Sequence, residues 1–225
     1  MKASKHVMII SGGNCNQELT KELLEKNQID TVIAVDGGLK ICDEIGRIPE
    51  YIVGDFDTIE ADIIQKYRDM VDSKAVNAPE ILSFNPEKDD TDTEIAIHLC
   101  IKLGAQTVTI VGGTGTRLDH TFANVHLLKK FLDAGIKAAI YDKNNKIYLI
   151  DHRLELLKEN LYGKYFSMLP FTEQVMGITL EGFKYPLCKK DISFGTSLCI
   201  SNEVEKATAT VEFTHGILII FESLD

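Results

Sequence analysis

Residues 107–120 read Thr-Val-Thr-Ile-Val-Gly-Gly-Thr-Gly-Thr-Arg-Leu-Asp-His, "TVTIVGGTGTRLDH". A short apolar run, a glycine-rich loop and a helical pattern to about Ala134 make one strand–loop–helix unit of a parallel α/β sheet. The same grammar extends toward the N-terminus. "ILSF" (81–84) precedes "NPEKDDTDTEIAIHLCIKLG", in which Thr91 and Glu94 have capping-box spacing and Gly104 can close the helix. "YIV" (51–53) leads into Gly54-Asp55-Phe56-Asp57 and a helical stretch from Glu60 to Met70. "TVIAV" (31–35) leads into Asp36-Gly37-Gly38 and a short helix ending near Gly46, and "HVMII" (6–10) into Ser11-Gly12-Gly13 and the helical "QELTKELLEKN". On the C-terminal side, "KAAIY" (137–141) reads as a sixth strand.

From about Lys146 the helical period fades. The runs "KIYLI", "YFSMLPF", "MGITLEGF", "TSLCIS", "KATATVEF" and "GILIIFE" follow one another, punctuated by Pro170, Gly177, Gly182, Pro186, Gly195, Asn202 and Gly216. That is the signature of an antiparallel β domain. The expected fold is an open parallel sheet with flanking helices, Rossmann-like, over residues 1–143. An antiparallel all-β sandwich follows over residues 144–225.

Composition narrows the function. The chain has 225 residues, enough to bury a large core without disulfides or metals. Its five cysteines form no CxxC pair and no zinc spacing, which fits a reducing cytosol. The apolar run Val7–Ile10 is too short for a signal-peptide core or a membrane span, so a cytoplasmic protein without membrane contact is expected. The net charge of −10 opposes a nucleic-acid backbone as partner. It leaves room for a phosphorylated small molecule whose charge is neutralised locally by metal ions.

The conspicuous polar signals all follow strands: Gly12-Gly13, Asp36-Gly37-Gly38, Asp55/Asp57, Asp89/Asp92 and the 112–120 loop. In an open parallel sheet those ends share the edge where ligands bind. Each loop alone could be an ordinary tight turn, and Asp57 or Thr58 could simply cap the next helix. Five such loops together point to a site. Two bare carboxylates ~4 Å apart repel by about 4 kcal/mol at an effective dielectric near 20. A cluster of three therefore calls for a proton or a divalent cation, and hard oxygen ligands suit Mg2+. The 112–120 loop lacks the Walker ending and the third glycine of a dinucleotide fingerprint. It does offer backbone N–H groups, hydroxyls and Arg117 before a helix start, which are anion-binding elements. His120 alone is a weak signal, and His98 and His126 lie mid-helix. The residues by themselves point to metal-assisted phosphoryl chemistry on a nucleotide.

The ordered set "DGG" (36–38), "GDFDT" (54–58), "KDDTDTE" (88–94), "GGTGTRLDH" (112–120) and "GTSLCISNE" (195–203) resembles the thiamine pyrophosphokinase family. The resemblance spans essentially the whole chain, including the change from α/β to β. It implies transfer of a pyrophosphoryl group from ATP to the hydroxyl of thiamine, giving thiamine diphosphate and AMP. It also implies Mg2+ dependence and a homodimer with thiamine near the subunit junction. By the same resemblance Asp55, Asp57 and Asp92 bind magnesium, and Asp89 lies beside thiamine and the phosphates. Asp36, Gly37, Gly38, Gly112, Gly113, Thr114 and His120 fall on the nucleotide side. Arg117 and Asp119 match the phosphate-contacting Arg and its following acid, and Ser201, Asn202 and Glu203 match the thiamine pocket. Asp89 or Asp119 would accept the alcohol proton. Thr58 replaces the usual serine, and with no tryptophan in the chain any stacking on thiamine falls to Phe or Tyr. Two rival readings are a haloacid-dehalogenase-like phosphohydrolase, imitated by Asp55-Phe-Asp57-Thr58, and a non-catalytic nucleotide-binding module. The position of Asp55 after the third strand speaks against the first, and the number of edge carboxylates against the second.

Overall fold

The structure, a computed structural model, describes residues 5–57, 59–83 and 91–225. Two compact units divide it, Met1–Lys143 and Asn144–Asp225.

The first unit alternates strands and helices in the order β1 (His6–Ile10), α1 (Gln17–Lys26), β2 (Thr31–Val35), α2 (Gly38–Ile45), β3 (Tyr51–Gly54) and α3 (Ala61–Asp72). There follow β4 (Glu80–Ser83), α4 (Asp92–Lys102), β5 (Thr107–Val111), α5 (Leu118–Asp133) and β6 (Lys137–Tyr141). The six strands pair in parallel in the spatial order β4-β3-β2-β1-β5-β6. The central strands are buried on both faces, which is why "HVMII", "TVIAV" and "TVTIV" read as continuous apolar runs. Met8 and Ile10 of β1 pack with Leu23, Leu39 and Ile64, so α1, α2 and α3 cover one face. The crossover helix α4 lies against β2 and β3, packs on α5, and covers the other face.

Local chemistry sets the helix ends. Asn16 caps α1 by accepting the Leu19 N–H, and Thr91 caps α4 by accepting the Glu94 N–H at 3.2 Å. Gly46 ends α2 in the left-handed region at φ 72°. The cap position of α3 belongs to Glu60, so Asp57 is not spent on that helix.

The second unit contains β7 (Asn145–Ile150), β8 (Leu154–Leu157), β9 (Tyr165–Pro170), β10 (Gln174–Glu181), β11 (Leu187–Ser193), β12 (Asn202–Glu203), β13 (Thr208–Glu212) and β14 (Leu218–Ser223). They form two antiparallel layers, β12-β9-β14-β7 and β11-β10-β13-β8. Phe166, Met168 and Ile220 of one layer meet Ile178, Leu180 and Val211 of the other in a shared core, the expected sandwich. One expected strand is absent: "TSLCIS" is a turn. Its Cys199 is buried and its carbonyl accepts the Met168 N–H at 2.9 Å, while Leu198 and Ile200 point outward. Conversely, β11 is a strand that its lysine-rich sequence hides, a common way of protecting a sheet edge. Among the described residues no helix is long and apolar enough to cross a membrane.

Candidate functional site

Between β1 and β5 the crossovers change face, from the side of α1 to the side of α5. In sheets of this class that point, at the carboxyl ends of the strands, is where ligands are held. Three strand-end segments meet there with almost no side chain between them. A Cβ on Gly13 would stand 2.2 Å from the Thr114 carbonyl oxygen, and one on Gly38 would stand 1.9 Å from that of Ile10. Only glycine permits such close backbone approach. The Gly13 N–H donates to the Gly112 carbonyl at 3.0 Å and the Asn14 N–H to the Thr114 carbonyl at 2.7 Å, tying the first loop to the fifth. Ser11, at the end of β1, is 5% exposed and its hydroxyl has no hydrogen-bond partner.

The carboxylates gather on the β2–β3–α4 side of this crevice. Asp55 accepts the Asp57 N–H at 3.2 Å across a left-handed Phe56 (φ 66°) whose ring is buried. The buried ring anchors the turn, and the two acids flank it. Asp36 also has a left-handed backbone (φ 43°), and its Oδ1 lies where a Cβ on Gly54 would collide with it at 2.1 Å. Asp92 is the first residue of α4 and hydrogen-bonds the Asp36 carboxyl. Burial first, then the charge and hydrogen bond of Asp92, then the charges of Asp55 and Asp57, push the Asp36 carboxyl up to about 7. Its Oδ1 is buried without a partner. Asp55, Asp57 and Asp92 are thus brought into one electrostatic neighbourhood around Asp36, which the sequence reading had set on the nucleotide side. Asp89 and Thr58 lie outside the described residues.

Among the described residues no three acidic, histidine or cysteine side chains already stand in a metal-binding arrangement. The donor set is nonetheless all oxygen, and one buried oxygen lacks a partner. Both features fit a hard divalent ion such as Mg2+.

The 112–120 loop is braced from outside its own motif. Asn124 donates to the Gly113 carbonyl at 2.8 Å, Thr114 donates to Asp142 at 3.0 Å, and the Gly115 N–H donates to the Thr121 hydroxyl at 3.2 Å. Asn124 and Asp142 carried no signal in the sequence, because each contacts the loop only after the chain has folded back. Arg117 and Asp119 pair with each other at 2.6 Å, both exposed. The guanidinium hydrogen bond holds the Asp119 carboxyl below the usual carboxylate range. His120 follows on the first turn of α5.

In the β unit, residues 201–203 form a tightly held corner. Ser201 is left-handed (φ 57°), and its N–H donates to the Ser167 hydroxyl at 2.9 Å. Asn202 is 2% exposed. Its amide donates to the Tyr185 carbonyl at 2.8 Å and accepts the Tyr185 N–H at 3.0 Å, so it organises the corner from below. Glu203 pairs with Lys184 at 2.8 Å, with Lys164 nearby at 3.7 Å; the Lys184 hydrogen bond lowers its carboxyl.

Two family models match the chain: "Thiamin pyrophosphokinase, catalytic domain" over residues 21–140, and "Thiamin pyrophosphokinase, vitamin B1 binding domain" over residues 151–218. A thiamine pyrophosphokinase from Bacillus subtilis (strain 168) is 34% identical over 222 residues, 98% of this chain and all of the relative. The crystal structure of thiamine pyrophosphokinase from B. subtilis is similar with a TM-score of 0.83 at 33% identity, covering 98% of this chain and 100% of that one. That from Geobacillus thermodenitrificans gives 0.82 at 32% identity, covering 98% of each.

Proposed function

The chain belongs to the thiamine pyrophosphokinase family, and from that premise we propose that it carries out the family's reaction, ATP-dependent pyrophosphorylation of thiamine to thiamine diphosphate and AMP, at the acid-rich strand ends of its α/β unit. The observation that carries this reading is the convergence of Asp55, Asp57 and Asp92 on Asp36, a half-buried carboxyl with one buried, unmatched oxygen. Such a cluster is poorly explained as fold support, because a buried polar atom without a partner is destabilising. It is well explained as a seat for a cation.

Asp55, Asp57 and Asp92 would hold Mg2+, with Asp36 beside them. When bound, the ion supplies positive charge against the triphosphate and the leaving AMP. The chain's own residues do the rest. Gly112, Gly113 and Thr114, together with Gly37 and Gly38, bring backbone close to the phosphates. Arg117 exchanges its exposed contact with Asp119 for a phosphate oxygen, a trade in which neither partner leaves a buried site. Asp119, released from Arg117, or Asp89 accepts the proton of the thiamine hydroxyl as it attacks the β-phosphorus. A loose transition state needs only modest help from that base. On the β unit, Ser201 and Glu203 face the thiamine, and Asn202 fixes their backbone. Phe194, Leu198 and Ile200 are exposed apolar side chains beside that corner in sequence, and a second copy of the chain covering them gives a homodimer. The family's biosynthetic role fits a cytoplasmic enzyme.

Incubating the protein with MgATP and thiamine tests the reading, with AMP and thiamine diphosphate expected in equal amounts. ADP or free phosphate as the main product would overturn it in favour of a kinase or hydrolase of another kind. Nucleotide binding without any turnover would favour the non-catalytic module.

A further inference from the structure

The Ser11 hydroxyl is one of two buried side-chain polar atoms without a hydrogen-bond partner among the described residues; the other is Asp36 Oδ1. Both belong to strand ends that are neighbours in the sheet, since β1 pairs with β2 in parallel. An orphan carboxylate oxygen has an explanation in the cation seat. An orphan hydroxyl needs another, because serine in a strand can ordinarily find a backbone or water partner, and burying it without one is destabilising.

Its position supplies that explanation. Met8 and Ile10 face the α1–α3 layer. The Ser11 N–H still donates to the Val111 carbonyl at 2.9 Å, so the ladder continues through this residue. Side chains alternate along a strand, which turns Ser11 to the opposite face, the one covered by α4 and α5. On that face Asp92 begins α4, and Asn124 of α5 holds the Gly113 carbonyl. Ser11 therefore lies at the switch point, where the end of β1 is bonded to the end of β5 and stands beside that of β2. Its next two neighbours are Gly12 and Gly13, which place no side chain over the crevice.

We propose that the Ser11 hydroxyl donates a hydrogen bond to a phosphate oxygen of the bound nucleotide, making Ser11 a positioning residue for the triphosphate. This rests on the family reading of the site and adds to it a residue outside the carboxylates, the 112–120 loop and Arg117. A phosphate is favoured over a base or sugar because the neighbouring strand ends are glycine loops that let backbone approach closely, beside the proposed cation seat. The bond forms equally with bound substrate and in the transition state, so its loss falls on KM for MgATP and spares kcat.

Ser11→Ala gives the test, with AMP formation measured against MgATP and thiamine separately, and thermal midpoints taken with and without MgATP. The expected result is a KM for MgATP raised about ten- to a hundredfold, the usual loss for a hydrogen bond to a charged group. The KM for thiamine and kcat should stay within about twofold, the range expected when only ground-state binding of one substrate is weakened. The midpoint without nucleotide should be equal or higher, since an unpaired buried hydroxyl has been removed, and the upward shift caused by MgATP should shrink. A lowered midpoint without nucleotide would overturn the inference by exposing a structural partner for the hydroxyl. So would an unchanged KM for MgATP. Ser11→Cys, which keeps the side-chain connectivity and weakens the donor while adding a little volume, must move KM in the same direction, and an unchanged value overturns the inference even if the alanine variant folds poorly. If the unaltered protein neither makes AMP nor gains stability from MgATP, the reading of the whole site fails first, and this inference with it.

Discussion

Glu222 in the β unit and Asp36 in the α/β unit are both carboxylates placed among strands, and their surroundings differ in kind. Glu222 is 1% exposed, and both of its oxygens are occupied. One accepts from Lys146 at 2.8 Å and from Tyr148 at 2.9 Å, the other from the Tyr162 N–H at 2.7 Å. Asp36 has other acids for company, a carboxyl pushed up to about 7, and one oxygen with nothing to bind. The first arrangement is complete in the folded chain and serves the fold. The second leaves one oxygen unmatched, as the cation seat proposed for it requires. Among the described residues both unpartnered buried polar side-chain atoms lie on the strand-end edge of the α/β unit, and none lies in the β unit.

The comparison can be broken at either end. The largest effect belongs to Asp57→Asn, which should lower AMP formation about a thousandfold, close to 4 kcal/mol in the barrier, by removing a charge from the cation seat. Its thermal midpoint should not fall, because one member of a mutually repelling group has been neutralised; near-normal turnover would sever the link between this cluster and catalysis. Next comes Glu222→Ala, expected to destabilise the fold by about 3 kcal/mol through the stranded Lys146 ammonium and two unpaired donors. Urea unfolding measures it, and a loss under about 1 kcal/mol, the scale of a single ordinary hydrogen bond, would make the β-unit network incidental. Asn202→Ala should follow at about 2 kcal/mol, from the Tyr185 N–H and carbonyl left without partners. If it instead altered only the KM for thiamine at unchanged stability, Asn202 would be a contact to substrate and not a support.

The smallest effect concerns His6, at the opposite end of β1 from Ser11. Its ring nitrogens meet the Asn27 carbonyl at 3.0 Å and the Thr109 hydroxyl at 2.9 Å. Burial lowers its pKa below the ordinary 6.5, against the opposing pull of the Asn27 carbonyl and Asp30. The unfolded chain therefore binds the proton more readily. The stability contribution is intact above pH 6.5 and is lost as pH falls from there toward the lower native value. Denaturation at pH 7.5 and 5.5, in the unaltered protein and in His6→Asn, should show a steeper loss for the former. Parallel slopes would show that His6 is not held neutral, and would remove the contrast between the two ends of the strand.

Sequence and structure agree where local chemistry decides. β1, β2, β5 and β6 coincide with their quoted apolar runs, and α4 begins on its Thr91–Glu94 capping box. The β3 strand end carries its two acids as read, because Gly54, Phe56 and the Asp55 turn are all local devices. What escaped depended on contacts across long stretches of chain. The hydrogen bond between Asp36 and Asp92 joins positions separated by two strands and two helices, so no window of sequence contains it. Asn124 and Asp142 support the glycine loop on the same terms. In the β unit "TSLCIS" has three successive apolar residues, and Cys199 is buried as a core strand residue would be. Pairing decides against a strand: the segment gives Met168 one carbonyl bond and turns away. β11 was hidden for the converse reason, since its sheet partner β10 makes it a strand despite exposed lysines.

The glycine contacts at the crevice have a thermodynamic consequence. Loops that bind phosphates are often slack and become ordered only when the ligand arrives, which subtracts from the affinity. Here the first loop is stitched to the fifth by two main-chain bonds and wedged against it by a glycine that no other residue can replace. Most of that ordering entropy was lost when the chain folded, and it is not lost again when nucleotide binds. The floor of the crevice is thus a stiff surface, and a triphosphate bound there as proposed would itself have to be the part that adjusts.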